Sequence, residues 1–271
     1  MFIDTHCHLD ATEFEGEQAT IVQHAQVAGL RCIVVPSVSC DNFDAVRTMC
    51  DQYPICVPAY GIHPMYVADA IPAHLDQLND CLTQHHPIAV GEIGLDFFIK
   101  HYDQARQEYF FVEQLKLARE HDLPVLLHLR KAQDSVLKCL RQHKVRGGIA
   151  HAFNGSHQQA EEFIKLGFKL GFGGAMTYSR ATKLRELAAT LPLDSIVLET
   201  DAPDIPPEFL DRGLPNEPQY LPVIAQTLAS LRGMTVAEVA QATTENALSV
   251  LPKIKAAVVS VEMRKTIRER I

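Results

Sequence analysis

Short apolar runs recur along this chain, and longer stretches with apolar positions every three or four residues separate them. The runs cover 2–6, 32–36, 55–59, 88–92, 124–128, 148–151, 168–171 and 196–200. They are continuous rather than alternating, as in parallel strands buried on both faces. Helical periodicity appears near 20–28, 73–85, 107–121, 134–143, 158–166 and 182–191. In 107–121, Phe110, Phe111, Leu115, Leu117 and Ala118 form an apolar stripe. Strand then helix, repeated about eight times, predicts an α/β chain folded as a single-domain (β/α)8 TIM barrel. A doubly wound open sheet is the competing expectation. It is weakened because no Gly-rich phosphate loop follows the first run.

After the eighth run, Ala202-Pro203-Asp204-Ile205-Pro206-Pro207 is too stiff for helix and reads as an ordered loop. Two further helices are expected near 219–231 and 236–250. The barrel is assigned to 1–251, and 252–271 to a C-terminal tail, either a further helix or a frayed end. No linker, low-complexity run or second domain is apparent.

Composition narrows the setting. Of 271 residues, 47% are apolar, enough for a sizeable core. No stretch is long and apolar enough to span a bilayer, and the first residues lack the basic region and apolar core of a signal peptide. Seven scattered cysteines without a Cys-x-x-Cys pair read as free thiols, so a cytoplasmic location is expected. The net charge of −8 argues against a protein that coats duplex DNA. It leaves room for a nuclease whose bound cations supply the local positive field.

The candidate chemistry lies at the ends of the runs. Asp4, His6 and His8 are two apart, so an extended strand presents them on one face, with Cys7 on the other as a packed thiol. A bare His-x-His is a weak metal signal. Glu92 closes the fourth run, His128 the fifth, His151 the sixth and Asp201 the eighth. Each alone is more often a packed strand-end residue than a ligand. In a barrel, however, all strand C-termini meet on one face, so together they would converge there.

The segments FIDTHCHLD, GIHP, AVGEIGLDFF, LPVLLHLRKA, HAFNG, GFGGAMTYSRATK, LETDAPDIP and LPNEP occur in this order between residue 2 and about 218. The set resembles the TatD family of metal-dependent hydrolases, in the His-x-His branch of the amidohydrolase-like barrels. The resemblance implies that His6, His8, Glu92 and Asp201 hold one divalent metal ion. It implies that Glu92, His128 and His151 hold a second, with Glu92 bridging. Many barrels of the wider group carry a carboxylated lysine at this point; Glu92 moves the reading toward phosphodiesterases. The resemblance also makes His63 a contact to phosphate or to a metal-bound water, with capping of its turn as the alternative.

Arg130 and Arg180 suit a phosphate, or are solvated charges. Asn216 sits in the substrate-side loop, or is a turn residue. Asp4 and Glu199 are candidates for orienting the histidines. His24, His74, His85, His86, His121 and His143 fall in helical patterns and read as surface or helix-end residues.

The favoured reaction is phosphodiester hydrolysis at a two-metal site, with Asp201 accepting a proton from the attacking water. Glu92 and Asp201 are thus the catalytic candidates. The implied substrate is DNA, attacked from a 3′ end, and single-stranded ends suit an acidic protein best. The ions are expected to be Zn2+, Mn2+ or Fe2+ by ligand type, or Mg2+ assisted by substrate phosphates. No membrane and no obligatory protein partner are expected. The rivals are hydrolysis of an amide, lactone or aminoacyl ester, and a metal-binding protein without catalysis.

Overall fold

The apolar runs pair side by side because each has two apolar faces to bury, one against helices and one inside a ring. The computed structural model describes residues 1–256 and Val258. Its strands are β1 (Phe2–Asp4), β2 (Leu30–Pro36), β3 (Cys56–Tyr60), β4 (Ala89–Asp96), β5 (Val125–Arg130), β6 (Gly148–Ala150), β7 (Phe168–Phe172) and β8 (Ile196–Leu198). They form one parallel sheet in sequence order. Its two edges meet where Thr5 N–H donates to the Leu198 carbonyl (3.1 Å) and Cys7 bridges Ala202. This is a single-domain (β/α)8 barrel, as the sequence predicts.

The helices are α1 (Gln18–Val27), α2 (Phe43–Gln52), α3 (Pro72–His85), α4 (Gln104–Glu120), α5 (Gln133–Gln142), α6 (His157–Lys165), α7 (Thr182–Thr190), α8 (Leu221–Arg232) and α9 (Val236–Val250). Apolar periodicity does not predict α2. That helix is short and polar, and Val46 is its sole fully buried residue. Phe43, Met49 and Cys50 only lean on the core. Its surface carries Arg47 between Asp44 and Asp51.

Alternation along the strands divides the core. Val125 and Leu127 pack outward among the helices. Leu126 points inward with Ile3, Val34, Val57, Ala89, Ile149 and Val197. The inner layer is closed at the N-terminal ends of the strands. There Thr244 reaches the Met1 carbonyl, Asn246 the Ile196 carbonyl and Lys253 the Pro87 carbonyl. Leu251, Ile254 and Val258 join this inner cluster, so its packing runs past the boundary expected at 251. Of the expected tail, residues 257 and 259–271 lie outside the described residues. The opposite end, where the strands finish, is left for a site.

All seven cysteines are free, and Cys7 is buried in the outer core. No described helix is long and apolar enough to cross a membrane.

Candidate active site

The strand ends open into a cleft of 1240 Å³, lined by His8, His63, Glu92, His128, His151 and Asp201 among others. His6 lies fully buried beneath them. How Glu92 comes to face this cleft is decided by β4. Val90 pairs with Val125 and Ile93 with Leu127, so Gly91 and Glu92 together oppose Leu126. This extra residue is a β-bulge, and it reverses the alternation. Val90, Ile93 and Leu95 pack outward, while Glu92 and Asp96 turn into the cleft. Gly91 permits the close approach, since a Cβ there would lie 2.6 Å from Leu126 Cβ.

The two carboxylate oxygens of Glu92 face different partners. Oε2 lies 3.1 Å from His6 Nε2 and 3.4 Å from His8 Nε2. Asp201 Oδ1 completes that group at 3.7 Å from His6 and 4.0 Å from His8. Oε1 lies 2.8 Å from His151 Nε2, 2.9 Å from His128 Nδ1 and 3.5 Å from His63 Nε2. Donors about 2.0–2.1 Å from a tetrahedral ion stand about 3.3 Å from one another. Three sets bring their donor atoms within 4.8 Å of one another, His6 with His8 and Asp201, His6 with Glu92 and His151, and His63 with Glu92 and His128, and their N and O donors suit a divalent cation.

Tautomers refine the donor set. His63 Nδ1 accepts the Met65 N–H (3.1 Å), which places its neutral-state proton on Nε2. His63 therefore caps its turn and offers a donor, not a lone pair, to the cleft. His128 has the opposite arrangement: Nε2 is 3.0 Å from Asp96 Oδ2, leaving Nδ1 toward Glu92. A carboxylate behind an imidazole holds its tautomer and orientation. Asp96 was not among the candidates read from the sequence. It is four residues beyond Glu92 on the same strand face, a signal the period-two rule carries.

Charge balance is unusual. Burial alone would raise the Glu92 carboxyl, but His151, His6, His63 and His128 hold it well below the usual range. Burial, with His151 nearby, pushes His6 down to about 3, and burial pushes His63 down to about 4. Burial also opposes charge on His8, but Glu92 and Asp201 outweigh it and raise His8 to about 9. Asp201 rises to about 6 because it is buried. The buried Nδ1 atoms of His6 and His151 lack hydrogen-bond partners.

The remaining candidates separate. Glu199 lies behind His151, with Oε1 3.7 Å from Nδ1 and accepting the Ala152 N–H. Gly171 leaves its space: a Cβ there would lie 2.1 Å from Glu199 Oε2. Asp4 does not orient a histidine ring. Regular β1 pairing ends at Asp4, and its carboxylate instead accepts Thr200 Oγ1–H (2.6 Å), Thr200 N–H (3.0 Å) and His6 N–H (3.3 Å). It braces β1 to the chain after β8. Asn216 is not placed to contact substrate either. It is fully buried, and its amide donates to the carbonyls of Thr200, Asp204 and Ile205. Arg130 lines the cleft mouth, with Cζ 3.9 Å over the Phe98 ring. Arg180 is exposed beside Tyr178 and does not line the cleft, so it reads as a solvated charge.

Comparison with known proteins fits this arrangement. The sequence profile described as TatD related DNase matches residues 3–252. The chain is 42% identical to the metal-dependent hydrolase YjjV of Escherichia coli K12, covering 90% of this chain and 95% of that protein. It is 30% identical to the putative deoxyribonuclease tatdn3 of Danio rerio, covering 94% and 98%. The crystal structure of YjjV, a TatD homolog from Escherichia coli K12, superposes with a TM-score of 0.89 at 41% identity, covering 93% and 98%.

Proposed function

This chain belongs to the TatD-related DNase family and is a metal-dependent hydrolase, and from that premise we propose that it removes nucleotides from 3′ ends of single-stranded DNA. The observation that carries the reading is the division of Glu92 between two donor groups. His6, His8, Asp201 and Glu92 Oε2 would hold one divalent ion, and His128, His151 and Glu92 Oε1 a second. Ions bound there supply Lewis acidity toward a phosphoryl oxygen and lower the pKa of water to near neutrality.

The protein groups do the rest. Asp201, a cleft-lining carboxylate that burial pushes up to about 6, accepts the proton of the attacking water. His63 donates from Nε2 to a nonbridging phosphate oxygen. Asp96 keeps His128 oriented through a hydrogen bond, and the Glu199 carboxylate stands 3.7 Å behind His151 Nδ1. Arg130 attracts the phosphate backbone at the mouth. The protein acts without a membrane or an obligatory protein partner, in the reducing cytoplasm that its seven free thiols suit.

The test is turnover of a 5′-labelled single-stranded oligonucleotide by protein stripped with a chelator and reloaded with Zn2+, Mn2+ or Mg2+. A ladder shortening from the 3′ end, absent from stripped protein, is expected. Hydrolysis of carboxylic esters or amides with no oligonucleotide turnover in any metal would replace this reading.

A further inference from the structure

The rim of the cleft is chemically lopsided. Phe98 follows β4, while Arg130 ends β5 and Lys131 follows it. Asp10 and Glu13 follow β1, and Asp204 follows β8; all six line the cleft. In an eight-stranded ring in sequence order, the ends of β4 and β5 lie across from those of β8 and β1. One side of the mouth is therefore aromatic and basic, and the facing side is acidic.

An exposed aromatic ring by itself needs no explanation. At Phe98, half exposed, two cations gather on the ring, Arg130 Cζ at 3.9 Å and Lys131 Nζ at 4.7 Å from the centroid. Neither cation has an ion pair among the described residues. Two neighbouring like charges on one ring, with no carboxylate in ion-pair contact with either, favour an anionic ligand that also has a π face. The platform is tied to the reacting centre. Asp96 Oδ1 accepts the backbone N–H of Phe98 (2.8 Å) and of Ile99 (3.3 Å), while its Oδ2 orients His128. Lys131 sits at φ 55°, in the left-handed region, so its backbone is set apart from the strand just before it.

We propose that Phe98, Arg130 and Lys131 form a nucleotide subsite that stacks the base on the 5′ side of the scissile phosphate, and that the acidic wall opposite stops the strand from continuing across the cleft. Aromatic rings bind any base through its π face, and cations beside the ring meet the phosphates. Asp10, Glu13 and Asp204 repel those phosphates on the far side. A strand then enters over one rim only, which selects an end over an internal bond. This inference deepens the hydrolytic reading above and rests on it.

The experiment uses metal-loaded protein and two single-stranded oligonucleotides differing only in an abasic penultimate 3′ nucleotide. Affinity is read by fluorescence anisotropy on phosphorothioate versions, and hydrolysis on the ordinary phosphodiesters. The intact strand is expected to bind roughly 5- to 100-fold more tightly than the abasic one. Phe98→Leu, which keeps apolar bulk but loses the π face, should bring that ratio toward one, whereas Phe98→Trp preserves it. Melting curves confirm that each variant folds. A ratio near one in the native protein, or a ratio that Phe98→Leu leaves unchanged, overturns the subsite. Base-dependent binding without hydrolysis supports the subsite and overturns the hydrolytic reading. Hydrolysis without base dependence does the reverse, and failure to bind either strand overturns both.

Discussion

Each oxygen of Glu92 meets a separate set of imidazole nitrogens, and Asp201 closes one of the two sets. Asp201 adopts φ 57°, a left-handed conformation that Asn also tolerates. Its backbone N–H bonds the His6 carbonyl whatever the side chain (2.9 Å). Asp201→Asn should therefore keep its melting temperature yet lose roughly 10²–10⁴-fold in turnover, the usual contribution of a general base. A stable variant with native turnover would remove Asp201 from the mechanism. His8 makes a prediction about pH. Its proton, retained up to about pH 9 in the metal-free protein, must leave before Nε2 can bind a cation. Metal affinity should therefore rise with pH from 6 to 9, with proton release seen by calorimetry in buffers of different ionisation heat. In the metal-free protein the same shift stabilises the fold fully below pH 6.5 and progressively less as pH rises through about 9. Affinity independent of pH would contradict the placement of His8 among the ligands.

At the scale of elements, the bulge in β4 and the loop after β8 aim the site. Gly91→Ala would force a Cβ against Leu126 at 2.6 Å. Such crowding costs about 1–3 kcal/mol, and here it also moves the strand that carries Glu92. Reduced stability should thus come with reduced metal content, measured by denaturant titration beside metal analysis. Loss of stability with full metal content would show that the bulge does not aim the carboxylate. In the loop, the Asn216 amide gathers the carbonyls of Thr200, Asp204 and Ile205, so the Pro-rich segment is held where Asp201 needs it.

Across the whole molecule, stability and chemistry occupy opposite ends of one barrel. Leu251, Ile254 and Val258 seal the N-terminal end of the strands, remote from every residue of the cleft. Leu251 is fully buried. Leu251→Ala should lower stability by about 2–5 kcal/mol through the cavity it leaves, while turnover per folded molecule stays at the native level. A proportionate fall in rate per folded molecule would mean that the floor is coupled to the site. This separation follows from the parallel sheet, which sends all strand C-termini to one face.

The amino-acid sequence by itself determined the repeated strand and helix, hence the barrel, because apolar periodicity is a local property of the chain. It also marked His6, His8, Glu92, His128, His151 and Asp201, since polar residues that interrupt or close apolar runs stand out. Non-local pairing decided the rest. Whether Glu92 faces helices or cleft depends on a bulge defined against β5, which no window of β4 reveals. Asp96 acquires its role from His128 on the neighbouring strand. Asp4 and Asn216 are polar residues in turn-like or strand-like contexts, and only the chain folded around them turned both inward as braces. Arg130 and Arg180 look alike in sequence, yet the ends of different elements carry one to the mouth and leave the other in solvent. Spacing along a chain sets which face a side chain takes within its own element; the register between elements sets what that face meets.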